Sequence, residues 1–211
     1  MMAENKQALI IFSRLPIGRE TKTRLAPFLS EKQREELHLA MWKSIFSEVM
    51  KLQDNTDIFL YWTGSGDIKD YSQFIPKRFF NRNQNGQNLG ERMCNAMREI
   101  FSSGYNRAAL IGSDIPELKH TNIIHAFEIL NENTFVLGPS NDGGYWLIGM
   151  NKFIPDVFNI KTWGKSDVLS CTIKKIEELG IKYSFTDVVN DIDTYEDLRA
   201  CLAFQTLHYR F

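Results

Sequence analysis

Three stretches of this sequence carry residue types that could do chemistry together. The first is the segment 13–25, where Arg14, Arg19, Lys22 and Arg24 stand against the single anion Glu20, with Pro16 and Gly18 shaping the backbone. Cations gathered at one loop suit phosphate groups. The second is Asp114 in Gly112-Ser113-Asp114-Ile115-Pro116, directly after the apolar run 108–111. A carboxylate at the carboxyl end of a buried strand is well placed to hold a divalent metal against phosphate oxygens. The third is Asp191-Ile192-Asp193. Alternate residues of an extended segment point to the same side, so both carboxylates could face one cation. Phosphoryl-centred chemistry needs these parts: cations for the phosphates and carboxylates for Mg²⁺ or Mn²⁺.

Each stretch also has a plain structural reading. Asp114 could cap a turn or the next helix, the basic loop could be a solvated surface, and Thr194 with Asp197 reads as a helix start. Two known nucleotide motifs are absent. Gly18 precedes Lys22-Thr23 without the second glycine of a Walker A loop, and Lys69 stands where a dinucleotide fingerprint after Gly64 and Gly66 needs glycine.

Two further segments border the same region. In 84–93, Asn88 and Glu91 form an N-cap pair, and Leu89, Met93, Ala96, Met97 and Ile100 supply a buried helix face. Gly86 and Gly90 would let backbone approach a ligand, and the helix start attracts anions. Arg92 in that first turn runs against the helix dipole, which points to a binding role. The segment Ser140-Asn141-Asp142-Gly143-Gly144 lies between two apolar runs and reads as a hairpin turn. Its functional reading is a glycine pair, bordered by Asp142 and Tyr145, that makes room for a substrate.

The elements needed to position these residues follow in order. Apolar runs predict strands at 8–12, 56–62, 78–80, 108–111, 134–139, 145–150 and 182–185. Ser30 to Gln33 is a capping box opening a long helix that carries Leu37, Met41, Ile45 and Val49. Helices are also expected near 68–75, 89–100, 121–130 and 166–179, the last closed by Gly180. Strands alternating with helices mean an α/β protein with a largely parallel sheet. No repeat or Pro/Ser-rich linker divides residues 1–211, so one domain is expected.

Composition narrows the function classes. With 43 % hydrophobic residues, 12 % aromatics and a formal net charge of -1, the chain reads as a packed globular protein with no global nucleic-acid surface. No apolar run is long enough to span a bilayer, and the polar residues 1–7 lack the apolar core of a signal peptide. A cytoplasmic location is expected. Cys94, Cys171, Cys201 and the four histidines, at 38, 120, 125 and 208, show neither disulfide nor metal-ligand spacing, and structural roles are expected for all of them. The aromatic tail 204–211 would pack on a second copy in a homodimer, on another protein or, the favoured reading, over its own core.

Five ordered motifs resemble one family. They are Phe12-Ser13-Arg14-x-Pro16-x-Gly18-x-x-Lys22-Thr23-Arg24-Leu25, Gln84-x-Gly86-x-Asn88-Leu89-Gly90-Glu91-Arg92-Met93, Gly112-Ser113-Asp114-x-Pro116-x-Leu118, Gly138-Pro139-x-x-Asp142-Gly143-Gly144-Tyr145-x-Leu147-x-Gly149 and Asp191-x-Asp193-Thr194-x-Glu196-Asp197-Leu198. Together they resemble a bacterial glycosyltransferase-like family, the radical-SAM/selenodomain-associated transferase 1 type, of the nucleotide-diphospho-sugar transferase superfamily. The resemblance implies a three-layer α/β/α sandwich with a mostly parallel mixed sheet, of the glycosyltransferase-A type.

That resemblance also implies roles. Arg14, Lys22, Thr23 and Arg24, with Gly18 shaping their loop and Gly90 and Arg92 opposite, would bind the nucleotide, and Asp114 with Asp193 would bind Mg²⁺ or Mn²⁺. Asp142, Gly143, Gly144, Tyr145 and Trp163 would border the acceptor. Lys22, Asp114 and Asp142 would be the catalytic residues. The chain departs from the family pattern with Arg14 in place of Lys, Asn88 in place of Asp, and Gly164-Lys165 in place of Ser-Thr. The first expectation is glycosyl transfer from a nucleotide-sugar to a small acceptor. The second is nucleotidyl transfer from an NTP to a phosphorylated small molecule, with pyrophosphate leaving. A non-catalytic nucleotide-binding or partner protein is the third.

Overall fold

The computed structural model describes residues 6–160, 163 and 166–201. Strand β1 (Gln7–Arg14) buries every residue from Ala8 to Ser13, as a strand covered on both faces must. Its side chains alternate between two cores. Leu9 and Ile11 join Trp42, Ile45, Phe46 and Val49 of α1 (Glu31–Val49) and Ile123, Ala126 and Phe127 of α3 (His120–Ile129). Ala8, Ile10 and Phe12 join Met93, Ala96, Met97 and Ile100 of α2 (Leu89–Ser102) and Ile176 of α4 (Val168–Glu178). Helices thus cover both faces, and the expected three-layer sandwich is present.

The sheet has seven strands. With β2 (Thr56–Thr63), β3 (Phe80–Asn83), β4 (Arg107–Gly112), β5 (Phe135–Pro139), β6 (Tyr145–Met150) and β7 (Tyr183–Phe185), their order is β3-β2-β1-β4-β6-β5-β7. β6 runs antiparallel to β4 and β5, and every other pairing is parallel. The carboxyl ends of β1, β2 and β4 therefore share one edge with the β5–β6 hairpin. The crevice opens there, as the general rule for open α/β sheets requires.

The caps agree with the sequence. Ser30 with Gln33 boxes α1, Asn88 accepts from the Glu91 N–H at 2.9 Å, and Thr194 with Asp197 starts α5 (Tyr195–Ala200). One strand does not sit where the apolar run predicted it. Residues 78 and 79 precede β3, because Phe79 turns inward against Phe46 at 5.0 Å and Arg78 reaches back to the Thr56 carbonyl at 3.0 Å. Phe79 is apolar because it plugs the α1-side core ahead of the strand, not because it belongs to the ladder. The tail 204–211 lies outside the described residues, as do Gly164 and Lys165.

Candidate active site

The basic loop is folded against the start of α1. A side chain at Gly18 would meet the Glu31 carbonyl oxygen at 2.1 Å, so only glycine permits this approach. Arg34, on α1, donates to the Gly18 carbonyl at 2.9 Å and the Leu29 carbonyl at 2.7 Å, closing the loop from below. Gly18 thus shapes the loop without lining the crevice.

Lys22 sits at the top of that loop with φ 48° and ψ 44°, the one non-glycine residue at positive φ among those described. Such backbone is costly and persists only where surroundings over-determine it. Its ammonium shows what does so. Only 5 % of the side chain is exposed; Nζ donates to Asp114 Oδ2 at 3.0 Å and, through a short contact, to the Ile192 carbonyl. The Ile192 N–H in turn donates to the Asp114 carbonyl at 2.9 Å. Lys22 therefore joins three separate parts of the chain: the basic loop, the end of β4 and the 191–193 segment.

The carboxylates have distinct environments. Burial opposes ionisation of Asp114, but the charge and hydrogen bond of Lys22 outweigh it and hold the carboxyl below its ordinary value. Burial first, then the charges of Asp114 and Asp142, push Asp191 up to about 6 against the pull of Lys22. Asp193 is paired with Arg24, and its N–H bonds Asp197 Oδ2 at 3.1 Å. The two alternate aspartates thus have different partners. Asp142 accepts from the Gly144 N–H at 2.9 Å and from the Ser140 hydroxyl at 2.5 Å, so it fastens the hairpin turn. It also lines the crevice.

Two chambers meet above the strand ends. The polar chamber, about 680 Å³, is lined by Arg14, Lys22, Thr23, Arg24, Gln84 and Arg92. The other, about 530 Å³, is lined by Leu89, Met93, Tyr145, Trp146, Trp163 and the carboxylates Asp142 and Asp191. Phe12, Arg24, Leu89, Gly112, Asp114 and Asp193 border both, so the chambers are continuous. Trp163 lies directly on α2: a side chain at Gly90 would come within 2.2 Å of the indole Nε1. Gly143, at φ 85°, is packed so tightly that a Cβ would meet the Ser166 carbonyl at 1.9 Å. The ring of Tyr145 lines the aromatic chamber, while its hydroxyl is buried and burial raises its pKa above the ordinary tyrosine value.

The crevice therefore brings together Arg14, Lys22, Thr23, Arg24, Arg92, Asp114, Asp142, Gly144, Tyr145, Trp163 and Asp193. Gly18, Gly90 and Gly143 support it through close packing. Sequence reasoning placed Gln84 in a motif but gave it no role; its Nε2 donates to the carbonyls of Ser13 and Tyr61 at 3.1 Å each and ties the ends of β1 and β2. It also gave His38 no part near the site, although His38 lines the polar chamber.

A divalent metal fits the donor chemistry. Asp114, Asp142, Asp191 and Asp193 offer carboxylate oxygens along one wall, the ligand type that Mg²⁺ and Mn²⁺ take. Among the described residues no group of three His, Cys, Asp or Glu forms a ready cage.

Comparison with known proteins gives the chain its relatives. It is 29% identical over 136 residues to the 2-phospho-L-lactate guanylyltransferase of Methanobrevibacter smithii, covering 64% of this chain and 58% of that one. It is 27% identical over 197 residues to the enzyme of the same name from Methanocaldococcus vulcanius, covering 90% and 82%. The chain spans 58% and 62% of the length of the first two such relatives. Among solved structures, a Desulfovibrio desulfuricans G20 protein named for the nucleotide-diphospho-sugar transferases superposes with a TM-score of 0.87 at 29% identity, covering 99% of this chain and 90% of that one. The fold is that of these transferases. No helix among the described residues is long and apolar enough to cross a membrane. Residues 47–165 match the model of a family described as "Uncharacterized protein conserved in bacteria (DUF2064)", and the chain belongs to that family.

Proposed function

We propose that this chain is a metal-dependent nucleotidyltransferase that joins the nucleoside monophosphate of an NTP to a phosphorylated small molecule and releases pyrophosphate. The observation that carries the proposal is the Lys22–Asp114 pair at the junction of a cationic chamber and an aromatic one. The relatives named as guanylyltransferases favour nucleotidyl transfer over glycosyl transfer.

In this reading Arg14, Lys22, Thr23, Arg24 and Arg92 bind the triphosphate, and Gln84 keeps the floor of that chamber rigid. The acceptor lies in the other chamber, bordered by Asp142, Gly144, Tyr145 and Trp163, with its phosphate directed at the junction. An acceptor phosphate oxygen forms the new bond to the α-phosphorus, and the α–β bridging P–O bond breaks. The acceptor is already an anion, so no general base is needed. Lys22, fixed in place before substrate arrives, meets the charge that develops on the α-phosphate without having to reorganise. Arg24 exchanges Asp193 for the departing pyrophosphate. Mg²⁺ or Mn²⁺, held by Asp114 with Asp193 and Asp191 beside it, would neutralise charge on the transferring phosphate.

The test is pyrophosphate release from each NTP with Mg²⁺ across a panel of phosphorylated hydroxy acids and sugar-alcohol phosphates. Parallel reactions with UDP- and GDP-sugars are followed by nucleotide release. Acceptor-dependent pyrophosphate supports the proposal. Consumption of a nucleotide-sugar without pyrophosphate from any NTP replaces it with glycosyl transfer. Metal-independent binding with no turnover of either class replaces it with a nucleotide-binding role.

A further inference from the structure

Three charged residues of the crevice share a pattern in the sequence: Ser13-Arg14, Thr21-Lys22 and Ser113-Asp114 each place a hydroxyl directly before the charge. In the structure the hydroxyls of Ser13 and Thr21 meet at one buried imidazole, and that of Ser113 joins them through Ser13. His38, carried by α1, faces the Thr21 hydroxyl with Nδ1 in a short contact and has Nε2 3.1 Å from Ser13 Oγ. Ser13 Oγ lies 2.7 Å from Ser113 Oγ and accepts the indole N–H of Trp42 at 2.7 Å. The three hydroxyl residues, His38 and Trp42 are all buried.

The chemistry of this cluster favours a fixed arrangement. The Trp42 N–H can only donate, so it orients Ser13 Oγ as an acceptor. A neutral imidazole has one N–H and one lone pair, and it meets one hydroxyl with each. Burial first, then the charge of Lys22, and also that of Arg14, hold the His38 pKa down at about 3 against the pull of Asp114, which keeps the ring neutral near pH 7. Buried hydroxyls with several partners leave few alternative arrangements, because any partner lost leaves an unsatisfied buried group.

We propose that His38 is a positioning residue: by holding the hydroxyls of Ser13 and Thr21, and through Ser13 that of Ser113, it sets the spacing of Arg14, Lys22 and Asp114, and through Thr21 it keeps Lys22 in its left-handed backbone conformation. The proposal rests on reading Lys22 and Asp114 as site residues, and not on which group is transferred. A helix on the α1 side of the sheet thereby controls the geometry of a crevice it does not charge. No other single group bonds both the end of β1 and the basic loop from beneath among the described residues that line the polar chamber.

The test reads the position of Lys22 on substrate-free protein. A brief acetic anhydride pulse is followed by mass spectrometry, with acylation of Lys22 normalised to Lys69, whose side chain is 87% exposed. Lys22, at 5 % side-chain exposure, is slow to react in the native protein. Thr21→Val keeps the shape and removes the hydroxyl, and acylation of Lys22 rises about tenfold, which is about 1.4 kcal/mol in the opening equilibrium of that side chain. Thr21→Ser restores the native value. Ile45→Val, a core reduction on the same helix away from the cluster, leaves it unchanged. Thr21→Ala carries the same expectation should the valine variant fail to fold. Native-level acylation in the hydroxyl-free variant overturns the proposal, and so does an equal rise in Ile45→Val, which would mark a merely structural effect. Because no substrate is present, a silent pyrophosphate assay would count against the proposed function while this measurement judged the hold of His38 on Thr21 separately.

Discussion

Asp114→Asn is the perturbation whose consequence follows most directly from the structure. The amide keeps the size of the carboxylate and one oxygen that Lys22 can still use, so packing is preserved and only the charge is removed. Lys22 is left with 5 % of its side chain exposed and no carboxylate at 3.0 Å. Breaking a fully buried ion pair costs about 3–5 kcal/mol. Asp114 is 37 % exposed, and the Ile192 carbonyl still accepts from Lys22, so solvent and that bond reduce the loss to about 1–2 kcal/mol. For a chain of this size each kcal/mol shifts the melting temperature by about 2–4 °C. The variant should therefore melt about 2–8 °C below the native protein at pH 7 by differential scanning calorimetry.

The pH dependence supplies the sharper check. The folded-state pKa of Asp114 is held below its unfolded value. Its stabilisation is therefore complete above an unfolded pKa of about 3.9 and is lost as pH falls through the lower folded value. The difference between native and Asp114→Asn should be full at pH 7 and shrink steadily below about pH 4. A gap that stays constant down to pH 3, or no gap at pH 7, would refute the reasoning that Lys22 and Asp114 form a stabilising pair.

Other expectations follow from the same geometry. Burial, Asp114 and Asp142 raise Asp191 to about 6, so ionising it destabilises the fold as pH rises through about 4 to 6. Asp191→Asn should then be more stable than the native protein at pH 7, by about 1–2 kcal/mol after allowance for partial exposure, and no more stable at pH 4, read by chemical denaturation. Gly143→Ala, at φ 85° with the Ser166 carbonyl 1.9 Å from a new Cβ, should lose at least about 1–3 kcal/mol of stability, read by chemical denaturation. Gly90→Ala suits a helix but strikes Trp163 at 2.2 Å. Its tryptophan emission should change and the KM for the acceptor should rise, with the KM for NTP close to native. EDTA should abolish pyrophosphate release and excess Mg²⁺ should restore it. Activity that survives chelation would remove the metal from the proposal.

The sequence alone determined the pieces and their order. Apolar runs bounded by glycine, proline and capping residues marked the strands and helices, because burial period and cap chemistry are local properties. The basic loop, Asp114 and the 191–193 segment could be read as one constellation, since each lies at an element end where an α/β sheet opens. Through-space relations were not legible. Nothing local says that Lys22 points inward to Asp114 and Ile192, or that Asp191 faces two other carboxylates while Asp193 pairs with Arg24. Those outcomes depend on how the basic loop folds over α1 and how the 191–193 segment is pinned by the main-chain bond from Ile192 to Asp114, just beyond β4. Phe79 looked like a strand residue because an apolar side chain is equally at home in a ladder or a core plug. His38 looked incidental because an isolated histidine has no spacing to read. Its importance arises only when parallel pairing sets Ser13 and Ser113 side by side at the ends of β1 and β4 and a helix from elsewhere brings the imidazole beneath them. Local chemistry chose the elements, and the long-range pairing of strands decided which charges meet.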